Sequence, residues 1–355
     1  MEIIFLIIIV ILFIIPSFMA MRKQRQRQND MQSLQNSLQN GDRIVTAGGG
    51  ATSHTAILAA QLGIPAAVQV KGIDALLAGE GEVELAIDGG VGEVIVAPTP
   101  DDVAELEERS RRRAAALAGS SGEGATRDGH RVKLLANIGT AADAAQTAAA
   151  DIEGSGLFRT EFLFLDREAA PSVEEQTATY AEVLRSFGTR RVVVRTLDAG
   201  SDKPLAFAGM TEEDNPALGV RGIRVDLLDR GLLDRQLDAL AAAGRQVGGA
   251  QSSPWVMAPM VATVHEARDF ADRCRGRGLT PGIMVEVPSV AVAVDRFLPH
   301  VDFLSVGTND LTQYVMAADR MSPDLAALTD PWQPAVLRLI RTVAEAAGRS
   351  PDGRS

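Results

Sequence analysis

From about residue 130 onward the sequence repeats one arrangement: a short apolar run that ends in a polar or charged residue, then a helix-like stretch. Seven such runs can be read, VKLLANIG, GLFRTEFLF, VVVRTLD, VRGIR, WVMAPMV, GIMVEVP and VDFLSVG. Helix-like segments such as Leu233–Ala243 and His265–Cys274 lie between most of them. Strand and helix in strict alternation imply a parallel sheet covered by helices. A doubly wound sheet would give the same alternation, but seven units without a GxGxxG turn predict an α/β protein with a partial TIM (β/α)8 barrel of about seven strands. Asn137, Arg159, Arg195, Arg221, Glu286 and Asn309 fall at the strand ends. The C-terminal ends of barrel strands are where this architecture builds active sites.

A second stretch has its own chemistry. GGGATSHTAIL, from Gly48 to Leu58, joins three glycines to two good helix N-cap residues, Thr52 and Ser53, and then to His54. Glycines let the backbone approach a bulky anion, and a phosphate on His54 would meet free N–H groups and the positive end of the helix dipole. Neutral imidazole is a nucleophile near pH 7. The pattern is that of a histidine able to carry a phosphoryl group. The plain alternative is a glycine-rich turn capping an ordinary helix.

The N-terminus differs from everything after it. Ile3–Ala20 is an apolar run of about 18 residues, enough for a bilayer-spanning helix, and Pro16 would kink it at most. Arg22, Lys23, Arg25 and Arg27 come directly after it, which places the bulk of the chain on the cytoplasmic side of the inner membrane as a single-pass protein. A buried core helix is the alternative. A Gln-rich flank comes next, then an NGD turn and a short strand over Arg43–Thr46. The net charge of −11 argues against nucleic acid as a partner, and the lone Cys274 excludes a disulfide framework or a cysteine-rich metal site.

GGATSHTAILAAQLGIPAAV resembles the phosphohistidine signature of the phosphoenolpyruvate-utilising enzymes, most nearly that of enzyme I of the bacterial sugar phosphotransferase system. GLFRTEFLFLDR, VVVRTLDAGSDKP, DNPALGVRGIR, VMAPMV, GIMVEVPSVAV and VGTNDLTQYVMAADR resemble the catalytic barrel of the same family, together covering about residues 130–342. The resemblance implies phosphoenolpyruvate-dependent phosphoryl transfer to His54 as catalytic residue. It implies substrate binding by Arg159, Arg195, Asn309, Arg320 and Arg221, and Mg²⁺ held by Glu286 and Asp310. That set suits the chemistry: arginine pairs bidentately with both phosphate and carboxylate, and Mg²⁺ takes hard oxygens. The family's partner is the carrier protein HPr, and its members are homodimers. Residues 1–49 resemble the translocase accessory subunit YajC, through the apolar anchor, the basic Gln-rich flank and GDRIVTAGG.

The expected organisation is therefore a YajC-like anchor at 1–49, part of a phosphohistidine swivel domain at 50–100, a linker at 101–125 and an incomplete phosphoenolpyruvate-binding barrel at 126–355. DDVAELEERSRRRAAALAG reads as the linker helix, its charge run a solvated face. Three departures from the family pattern stand out: Ala60 where an Arg often helps with phosphate charge, Asp214 where Glu precedes Asn-Pro, and no match to the barrel strand bearing an acid Cys. Cys274, in a helical stretch, reads as structural. With the HPr-docking subdomain and half of the swivel domain also unmatched, impaired turnover is expected. The alternative functions are a non-catalytic membrane-tethered fusion fragment or a YajC-type translocation accessory module. The anchor has a direct check: after alkaline carbonate extraction the protein should remain in the membrane pellet, and recovery in the soluble fraction contradicts the anchor.

Overall fold

The computed structural model describes residues 43–46, 59, 64–78, 82–119, 122–165, 167, 169–200, 205, 207, 210, 213–320 and 322–349. The chain divides into two compact units, 1–119 with 320–326, and 120–319 with 327–355. Among the described residues no helix is long and apolar enough to cross a membrane. The apolar run at 3–20 and His54 both lie outside the described residues.

In the first unit, β1 (Ile44–Val45) pairs in parallel with β2 (Ala66–Ala67), and β3 (Leu85–Asp88) forms an antiparallel hairpin with β4 (Glu93–Val96). Asp88 closes that hairpin by accepting from the Gly90 N–H at 2.9 Å, and it pairs at 2.5 Å with Arg113 of the helix Pro100–Ala118. The Arg113 guanidinium outweighs the effect of burial and holds Asp88 below the usual carboxylate range. The same helix carries the run of charge seen in the sequence: Arg109 reaches Glu93 and Glu105, and Arg112 reaches Glu108, all on partly exposed side chains.

The second unit opens with a small antiparallel pair, β5 (Gly124–Ala125) and β6 (Arg131–Val132). Its main sheet consists of β7 (Ala136–Ile138), β8 (Gly154–Arg159), β9 (Arg191–Arg195), β10 (Trp255–Ala258), β11 (Thr280–Val285) and β12 (Phe303–Val306). These six pair in parallel, and their order across the sheet is their order along the chain. The expected seventh strand, VRGIR, is absent: β9 pairs directly with β10, and Gly222–Leu227 is a 3₁₀ helix. The reason lies at Gly222, whose φ of +58 breaks an extended run, while the Arg221 side chain before it is drawn into buried ion pairs. GLFRTEFLF likewise stays extended only to Arg159 before a 3₁₀ turn at Glu161–Leu163.

Three crossover helices start on reciprocal caps. Thr140 with Asp143, Ser172 with Glu175, and Thr263 with Glu266 each exchange side-chain and backbone hydrogen bonds at the first turn. Alternation along the strands then sorts residues by face. Phe158, Val192, Val194, Val256, Ile283 and Val285 pack outward against Tyr180, Leu184, Leu237, Leu240 and Phe270 of the helices. Val193, Met257, Met284 and Phe303 form a separate inner cluster.

Gly282 pairs in register with Phe303. The Phe303 ring lies over its bare Cα and stacks on Trp255, with centroids 4.7 Å apart. A Cβ at position 282 would overlap that ring. Gly282→Ala should therefore cost ~1–3 kcal/mol of stability as an overpacking change. Urea unfolding measures it, and an unchanged midpoint would contradict this packing.

Candidate active site

Three strands deliver a charged residue to the same end of the sheet. Arg159 closes β8, Arg195 closes β9, and Glu286 comes directly after β11. Asp310 and Asn309 lie in the first turn of the helix Thr308–Met316, which begins right after β12 and Gly307. Arg221 comes from the loop between β9 and β10. That loop is held by the Val220 N–H donating to Glu213 at 3.0 Å, and by the Tyr314 hydroxyl donating to the Ala217 carbonyl.

These side chains form one chain of alternating charge. Arg195 donates to Glu161 and pairs with Asp198 at 3.0 Å; Arg221 pairs with Asp198 at 3.3 Å and with Asp310 at 2.8 Å. Every member is buried, none with more than 9% of its side chain exposed. Burial alone would lower the arginine pKa values, yet Glu161 and Asp198 around Arg195, and Asp198 and Asp310 around Arg221, raise both. Beneath them a neutral network locks the backbone. Thr160 donates to the Arg195 carbonyl, and Gln236 accepts from the Leu197 N–H while donating to Thr160 and Tyr180.

Arg159 differs from the other two arginines. It is half-buried and has no ion-pair or hydrogen-bond partner among the described residues. Burial, then the neighbouring Arg195 charge, lowers its pKa, but a guanidinium stays protonated at neutral pH. Its donors are free to receive an anion. Glu286 is 1% exposed, and its Oε2 is buried without a hydrogen-bond partner.

A hard cation fits this carboxylate. Mg²⁺ is usually held by one or two protein carboxylates together with substrate oxygens. Glu286 offers an unused oxygen, while Asp310 is shared with Arg221. No group of three or more His, Cys, Asp or Glu side chains forms a ready-made cage among the described residues. A cation here would complete its shell with water or with oxygens of a bound ligand.

Of the residues expected from the sequence, Arg159, Arg195, Arg221, Glu286 and Asp310 come to this end of the sheet. Asn309 is exposed at its rim. Arg320 belongs to the segment grouped with the first unit, and His54 lies outside the described residues. Cys274 is fully buried, and burial pushes its thiol up to about 12, in keeping with a structural role. Glu161 and Asp198 are the members of this charge chain that the sequence reading missed. The available signal was charge balance, because a buried arginine demands a carboxylate, and RTE and RTLD each supply one within three residues.

Three family models match: "PEP-utilising enzyme, PEP-binding domain" over residues 118–352, "PEP-utilising enzyme, mobile domain" over 38–92, and YajC, "Preprotein translocase subunit", over 6–54. The chain is 52% identical to a phosphoenolpyruvate-protein phosphotransferase of Streptomyces coelicolor over 307 residues, which are 86% of this chain and 54% of that protein. It is 44% identical to a phosphoenolpyruvate-protein phosphotransferase of Haloferax volcanii, over 86% of this chain and 54% of that protein. It is 42% identical to a multiphosphoryl transfer protein of Xanthomonas campestris, over 86% of this chain and 37% of that protein. The chain thus spans about half the length, or less, of these curated relatives.

Burial, reinforced by the like charges of Asp198 and Asp310 and opposed by Arg195, pushes the Glu286 carboxyl from its ordinary 4.5 up to about 8. Between those values the folded protein keeps a proton that the unfolded chain has released. The stability tied to this group is therefore fully present below about 4.5 and is lost as pH rises through about 8. Urea midpoints should fall over that interval more steeply in the wild type than in Glu286→Gln, which stays neutral. Parallel pH profiles for the two proteins would contradict the shift.

Proposed function

This chain belongs to the PEP-utilising enzymes, and on that premise we propose that it transfers the phosphoryl group of phosphoenolpyruvate to His54. One observation carries the reading: an unpaired guanidinium, Arg159, at the same sheet end as two charge-locked arginines and a buried carboxylate with an unused oxygen. Phosphoenolpyruvate presents a phosphate and a carboxylate, and arginine binds both in a bidentate fork. Arg159 receives the substrate anion, and Arg195 and Arg221, held at the same sheet end by their carboxylates, are further substrate-binding arginines in this reading. Asn309 at the rim and Arg320 are further substrate contacts in this reading. Glu286 and Asp310 would hold Mg²⁺, which when bound neutralises charge on the phosphoryl oxygens.

The transfer itself needs little from the protein beyond positioning and charge. The P–O bond to the enolate breaks as a P–N bond forms to a ring nitrogen of His54. The released enolpyruvate takes a proton from water at carbon to become pyruvate. Glycines before His54 and the helix expected after it from the sequence suit a phosphorylated imidazole. The match to a mobile domain over residues 38–92 supports a carrier role for this segment. The translocase match over 6–54 supports a second element of the proposal, attachment to the cytoplasmic face of the inner membrane through residues 3–20.

Phosphoenolpyruvate with Mg²⁺, at ~100 times its dissociation constant, should stabilise the protein by roughly 2.7 kcal/mol. Arg159→Ala should remove that gain while leaving the unliganded melting temperature within a few degrees. His54→Ala should keep the gain but lose an acid-labile, base-stable radiolabel from the phosphoryl donor. Equal melting temperatures with and without saturating ligand would refute substrate binding; labelling that survives His54→Ala would refute the acceptor.

A further inference from the structure

Met260 stands where the backbone leaves the C-terminal end of β10, and it adopts a conformation that few side-chain-bearing residues hold. Its φ is +60, in the left-handed region. It is 1% exposed, so no solvent-facing turn accounts for the strain. The surroundings are built around it. Gly222, itself at φ +58, packs so closely under Met260 that a Cβ there would sit 2.8 Å from the Met260 Cβ. The Pro259 carbonyl accepts from the Ile223 N–H at 3.2 Å.

The conformation has one visible product. The Met260 N–H donates to Glu286 Oε1 at 2.6 Å, while Glu286 Oε2 keeps no partner. On the side of Oε2 stands Gly307, where a Cβ would come within 2.6 Å of that oxygen. One oxygen is fastened and the other is kept clear.

We propose that Met260 is the positioning residue for Glu286: its left-handed backbone turns the peptide N–H onto Oε1 and thereby presents Oε2 to a divalent cation. The proposal rests on reading Glu286 as a cation ligand. It adds that a strained backbone, rather than another side chain, sets which oxygen does the binding. Groups that orient metal ligands typically cost 10–100-fold in affinity when lost.

A packing role and a positioning role rank two substitutions in opposite order. If the Met260 side chain merely fills space, Met260→Val keeps most of its volume and is the milder change, and Met260→Gly leaves a cavity. If the N–H is what matters, Gly adopts φ +60 freely and keeps the donor. Val, β-branched, is driven out of that region. The test titrates the full chain with Mn²⁺ alone and reads free Mn²⁺ by electron paramagnetic resonance. Met260→Gly should bind within about threefold of wild type and Met260→Val at least about tenfold more weakly, with Glu286→Gln abolishing binding. Equal binding by the Gly and Val variants, or tighter binding by Val, overturns the positioning role while leaving the cation site intact. Wild type that binds no Mn²⁺, or binding untouched by Glu286→Gln, overturns the cation reading and the proposal with it. Should Met260→Val fail to fold, the amide proton of Met260 in ¹⁵N-labelled protein decides. It should lie well downfield in wild type and move upfield in Glu286→Gln, and an unmoved resonance overturns the proposal.

Discussion

The buried charge chain from Glu161 through Arg195, Asp198 and Arg221 to Asp310 holds the rest of the site in place. Taking charges out of water is expensive, and each ion here is tolerable only because its neighbours compensate it. Both arginines are bracketed by two carboxylates, with Asp198 shared, so loss of Arg195 would leave the buried Glu161 carboxylate without its ion pair. The residues come from the end of β8, the end of β9, the loop before β10 and the helix after β12. The network therefore fixes the relative positions of four separate pieces of chain, one link spanning 89 residues of sequence. Arg159 and Glu286 stand next to this frame with unused valence: one donor fork and one acceptor oxygen. The frame spends its charges on itself, and those two groups are left for a ligand.

Much of this was legible before the structure. Alternation of apolar runs and helices gave the parallel sheet, and polar residues at the strand ends marked the end where the charged side chains gather. The failures have physical causes. VRGIR has strand-like composition, yet Gly222 takes a left-handed turn there, and Arg221 turns inward to its carboxylates. Glu161 and Asp198 looked like unremarkable acids beside arginines; their importance comes from burial, which local sequence does not report. The bond from Met260 to Glu286 joins residues 26 apart through a backbone donor, which leaves no trace in side-chain identity.

The first unit shows another limit of reading by segment. In the sequence, Arg43–Thr46 belongs with the polar flank before the triple glycine. In the structure β1 forms a parallel pair with β2, which comes after the glycines. The matches to the translocase subunit and to the mobile domain overlap over residues 38–54. The short strand lies inside that overlap, and its hydrogen bonds tie it to the mobile-domain side, through Pro65 and Ala67.

The strands of the second unit lie side by side in the order in which they are made. Each new strand needs only the previous one as a template, and each crossover closes a modest loop rather than bridging the whole domain. On a ribosome such a sheet can lengthen by one strand–helix unit at a time, with the newest strand always the growing edge. The charge chain works on a different schedule. Arg221 cannot complete its second ion pair until Asp310 has been synthesised, so the sheet is assembled gradually while the electrostatic frame locks in one late step.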